Sequence, residues 1–113
     1  MAIFEEKEIL EATTTAASFN GELFMLKNMG FSVHFSWKKT AGTLAGTMKL
    51  QGKGSVNLPW VDISGATATL TDTTTETAAL INIQEQHYNY CRLVVTITGG
   101  TGTFRAYLSS KDN

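Results

Sequence analysis

One cysteine and one proline are all that the 113 residues contain of either type. The lone thiol, Cys91, excludes an internal disulfide, so the fold must hold by packing, and nothing marks an oxidising compartment. The lone proline, Pro59, excludes a proline-rich linker, and the length suits a single domain over 1–113. A chain of this size buries about two thirds of its unfolded surface, enough to stand without staples. Charge of one sign is also missing. Nine Lys and Arg against ten Asp and Glu leave a formal charge of −1, without the positive field that nucleic-acid binding relies on. No apolar run approaches the roughly 18 residues of a membrane span. Glu5, Glu6, Lys7 and Glu8 stand where a signal peptide would carry its apolar stretch. The expectation is therefore neither a nucleic-acid nor a membrane partner.

What the chain has in excess is threonine, seventeen residues gathered mainly at 13–15, 67–77 and 96–103. Such β-branched residues favour pleated, half-exposed surfaces, and the sequence reads as all-β. Phe31, Val33, Phe35 and Trp37 alternate with Ser32, His34, Ser36 and Lys38, a period of two that excludes helix. From Tyr88 to Thr98, Cys91, Leu93, Val95 and Ile97 share one face, which aims the thiol at the core as a packing group. Gly99, Gly100 and Gly102 predict a hairpin into a strand over 103–109, and Gly42 and Gly46 a turn into a strand over 47–51. Shorter strands suit 12–19, 22–27, 60–63, 66–71 and 77–83. Eight or nine antiparallel strands on short loops fit a β-sandwich of jelly-roll type. Residues 1–10 stay open between an edge strand, one helical turn and an arm. In the arm reading, Ile3, Phe4, Ile9 and Leu10 contact a neighbouring subunit.

Constellations for chemistry are sparse. His34, His87 and Cys91 form no CxxC or HExxH pattern, and no metal or cofactor is expected. There is no GxSxG elbow, and the glycines at 52–54 and 99–102 sit in turn contexts with no helix to follow. Asp62, Asp72, Glu76 and Glu85 are the candidates for paired carboxylates, in or near loops with no sign of a pocket, so the chain is not read as an enzyme. A carbohydrate-binding adhesion module is the competing class, with Trp60, Tyr88, Tyr90 and Tyr107 as stacking candidates. Lys38, Lys39, Lys49 and Lys53 make a small basic cluster that would steer toward an acidic partner or protect an edge.

The ordered set Gly30-Phe31-Ser32-Val33, Trp37, 46–52 (GTMKLQG), 60–63 (WVDI), 88–94 (YNYCRLV) and 100–103 (GTGT) resembles small virion structural proteins of tailed bacteriophages. The likeness spans Gly30 to Ser109; the turn from Lys53 to Pro59 departs from the acidic-glycine turn of those proteins. The resemblance implies a repeated building block of head, neck or tail, made in the host bacterial cytoplasm and resident in the virion. Its partners would be itself and other virion proteins, as a homo-oligomer or bound to a symmetric lattice.

Overall fold

Alternation of apolar and polar residues makes each long segment two-faced, and two such segments pair along their whole length. The computed structural model describes residues 3–21, 24–25, 31–55, 57–83 and 90–112. Its seven strands are β1 (Ile3–Thr15), β2 (Phe19–Asn20), β3 (Phe24–Met25), β4 (Phe31–Lys53), β5 (Val61–Thr69), β6 (Thr77–Ile83) and β7 (Tyr90–Asp112). All pairings are antiparallel, and no helix occurs among the described residues. The central unit is a ribbon of β4 and β7, paired from Ser32↔Ser109 to Lys53↔Tyr90.

The ribbon folds over on itself. Its irregularities fall between Lys39 and Gly46 on β4, opposite Gly102 to Ile97 on β7. Beyond that corner the neighbours change. One half of the ribbon takes β6 and β1 as flanking strands, and the other half takes β5, β2 and β3. We call these layer A and layer B. They enclose a single core, with Phe31, Val33, Phe35, Trp37, Phe104, Ala106 and Leu108 from layer A against Met48, Leu50, Ile63, Ala66, Ala68, Cys91, Leu93 and Val95 from layer B. Phe19 and Phe104 meet across the layers with ring centroids 6.5 Å apart, and the shortest dimension of the molecule, 21 Å, suits two packed sheets. The all-β, antiparallel, sandwich-like expectation is thus what the structure shows.

The strand count differs, for one physical reason. Along β4 the inward residues are odd before the corner (31, 33, 35, 37) and even after it (44, 48, 50); along β7 they are odd first (91, 93, 95) and even later (104, 106, 108). Each strand changes phase while its backbone continues. A phase change flanked by glycines has the signature of a hairpin, so the sequence predicts separate strands on either side of 41–46 and of 99–102. Residues 60–63 and 66–71 are joined similarly: Ile63 and Ala66 both face inward across Gly65, at a register shift in β5, where φ is +81°.

The corner is the place where glycine is required. At Gly46, with φ +142°, a Cβ would lie 1.9 Å from the Thr96 carbonyl oxygen; at Gly100, with φ +76°, 2.6 Å from that of Thr43. The connection from β5 to β6 straps the corner from outside. Leu70 N–H donates to the Gly46 carbonyl (2.9 Å), Lys39 N–H to that of Thr73 (2.7 Å), and the Trp37 indole to Thr71 Oγ1 (3.0 Å). Asp72 takes the Leu44 N–H on Oδ1 (3.0 Å) and the Lys39 ammonium on Oδ2 (3.2 Å).

Candidate functional site

With alternate side chains committed to the core, the remaining ones form two outer faces and the lateral edges between them. On the outer face of layer A, Arg105 holds Glu76 through Nε (3.0 Å) and its terminal nitrogen (2.6 Å), while the Ser36 hydroxyl donates to the same carboxylate (2.8 Å). A shallow recess of about 350 Å³ lies over this pair, lined also by Lys38, Thr74 and Thr103. The Tyr107 hydroxyl donates to Glu8 at 2.8 Å, across the register pair that joins β1 to β7. His34 is exposed on this face.

The outer face of layer B carries a chain of contacts from β5 to β7. Lys49 Nζ donates to Asp62 Oδ2 (3.1 Å), Gln51 Nε2 to Asp62 Oδ1 (2.9 Å), and Arg92 Nε to Gln51 Oε1 (2.9 Å). The Arg92 guanidinium and the Lys53 ammonium both lie over the Trp60 ring, 4.7 and 4.4 Å from its centroid, within the range of cation–π attraction. Beside it Leu58, whose N–H donates to the Ser55 carbonyl (3.1 Å), is 57% exposed, and Val61 is 48% exposed. This end of the β5 edge therefore presents apolar side chains flanked by cations.

The opposite edge has the reverse character. Where the margin of layer A (β1) meets that of layer B (β2), a groove of about 450 Å³ opens, with Ile9, Leu10 and Phe19 half-buried in it and Glu8 and Glu11 exposed at its rim. The β1 strand breaks register twice here, between Glu8 and Leu10 and between Leu10 and Thr13. Bulges of this kind turn an edge away from further strand pairing.

Three carboxylates are tied to their partners. The Gln51 amide, then Lys49, holds the Asp62 carboxyl below the usual carboxylate range. The Leu44 N–H and then Lys39 do so for Asp72, and Arg105 followed by Ser36 for Glu76. Glu85 lies outside the described residues. Burial pushes the Cys91 thiol up to about 12, the condition of an inert packing group. Among the described residues no three His, Cys, Asp or Glu gather as a metal site, and His87 lies outside them.

The structure distributes the residues singled out in the sequence as follows. Ile3 and Phe4 open β1 opposite Asp112 and Lys111, and Ile9 and Leu10 line the groove at the β1 edge. Trp60 is half-buried at the opposite edge, and Tyr90, paired with Lys53, points to the outer face of the same layer. Tyr107 lies on the outer face of the other layer, and Tyr88 falls outside the described residues. The four aromatic candidates do not form one platform. Alternation with Cys91 and Leu93 puts Arg92 on the outer face, whereas nothing in the sequence marks Leu58 and Val61 as surface groups.

No protein-family model matches the chain, and no curated protein matches it in sequence. Solved structures do match in fold. The SPBc2 prophage-derived protein YomS is similar with a TM-score of 0.58 at 12% identity, over 97% of this chain and 96% of that one. A chain in the structure of the infectious bursal disease virus Gx strain is similar with a TM-score of 0.57 at 9% identity, over 97% of this chain and 32% of its own length. At these identities the likeness is one of fold: this chain has the same all-β architecture as a prophage-derived protein and as part of a viral one.

Proposed function

We propose that the protein is a structural subunit of a virus-like particle, most simply a bacteriophage virion, repeated in many copies and acting through protein–protein contacts. The observation that carries this reading is the fold likeness to a prophage-derived protein over nearly the whole of both chains. It is supported by where the surface groups lie. The carboxylates Asp62, Asp72 and Glu76 are bound up with neighbouring donors, whereas exposed apolar groups and a groove remain available for contact with other copies. Head, neck and tail are all open to such a subunit. Quantitative mass spectrometry of purified particles tests the reading. The expected result is a constant copy number per particle; abundance in infected lysate with absence from particles counts against it.

A carbohydrate-binding module remains the second reading, favoured by the half-exposed ring of Trp60 on the same face as Tyr90. The cations over that ring occupy space a stacked sugar would need. Glycan-array binding that disappears in a folded Trp60→Ala variant would favour this class over assembly.

A further inference from the structure

The two lateral edges are complementary to each other. At the β5 edge, exposed Leu58 and Val61 stand beside Trp60, with Lys53 and Arg92 held against its ring. Trp and Arg in such a setting are the residue types that dominate interface energetics. At the β1 edge, the groove has an apolar floor of Ile9, Leu10 and Phe19 and an acidic rim of Glu8 and Glu11. β1 as a whole carries four glutamates against one lysine. β1 flanks the ribbon along β7 and β5 flanks it along β4, so the groove and the Leu58–Val61 segment border different strands.

Resting on the assembly reading above, we propose that copies of this chain associate head to tail, the Leu58–Trp60 edge of one seating in the Ile9–Leu10–Phe19 groove of the next, with Lys53 and Arg92 against Glu8 and Glu11. The contact joins unlike surfaces. It therefore generates a ring if the rotation closes and a filament if it does not. Apolar burial supplies the attraction, and the charges set register and exclude the like-edge pairings, cation against cation or acid against acid. Because the glutamates at the groove's rim are exposed, added salt weakens the association.

A charge exchange tests the proposal. Lys53→Glu spoils the knob and leaves the groove intact; Glu11→Lys does the converse. Both positions lie on the surface, and circular dichroism confirms that each variant keeps its strand content. In sedimentation velocity the wild-type chain should assemble with rising concentration. Each variant alone should need about tenfold more protein or worse to do so, because like charges now face each other. An equimolar mixture should recover assembly, since both of its alternating contacts bring opposite charges together. Variants that assemble like the wild type, or a mixture no better than its components, overturn the contact and leave self-association standing. A wild-type chain that stays monomeric throughout overturns self-association itself.

Discussion

At the residue scale, two kinds of position carry the fold. The first is the glycine at the corner. Gly46→Ala would drive a Cβ into the Thr96 carbonyl oxygen and hold an unfavourable φ, and Gly100→Ala meets backbone at Thr43 in the same way. Gly65 also has a positive φ, yet nothing lies within 4 Å of its Cβ position. Gly65→Ala should therefore cost only the conformational term, about 1–2 kcal/mol, while Gly46→Ala should abolish a cooperative thermal transition. Calorimetry on the three variants makes the comparison. The second kind is the fully buried side chain. Phe35 and Phe104 have no exposed surface, and truncation of either to Ala should cost about 3–5 kcal/mol in urea unfolding. Cys91 is equally buried, so its thiol should resist a coloured disulfide reagent in the native protein and react at once in denaturant.

The corner strap is the feature that matters among the elements. Asp72, on the connection between β5 and β6, ties the Leu44 N–H and the Lys39 side chain to one carboxylate. Its acidity is raised mainly by the Leu44 N–H. A carboxyl whose pKa falls on folding adds stability above its ordinary pKa and loses that contribution as pH drops through the folded value. The melting temperature of Asp72→Asn should accordingly lie below wild type at neutral pH, and the gap should close once the pH falls below the usual carboxylate range. A gap that persists in acid would mean that Asp72 acts through shape rather than charge.

At the scale of the whole molecule, the ribbon pairs residues as far apart in sequence as Ser32 and Ser109, and the flanking strand β1 pairs Ile3 with Asp112. Closure of such long loops must precede the contacts that reward it. Refolding should therefore take about milliseconds to seconds, the range of all-β domains of high contact order. Stopped-flow tryptophan fluorescence can follow it, because Trp37 packs beneath the corner and Trp60 sits at the far edge.

The alternation from Phe31 to Trp37, the inward set Cys91, Leu93 and Val95, and the later set Phe104, Ala106 and Leu108 were all legible before any coordinates, because a strand with one dry face must repeat every two residues. The sequence by itself therefore determined the class of structure, most of its core, and the inertness of Cys91. Only the tertiary structure decided that the glycines at 42–46 and 99–102 bend two continuous strands instead of ending them. The distinction rests on which partner each half pairs with, and local periodicity carries no such information. Only the fold, likewise, brought Phe19 beside Ile9 and Leu10 to make a groove, and set Leu58, Trp60 and Arg92 together on the opposite edge. Phe19 comes from a different layer than Ile9 and Leu10, and Arg92 lies on β7 while Leu58 and Trp60 precede β5, so their proximity follows from the folding of the ribbon.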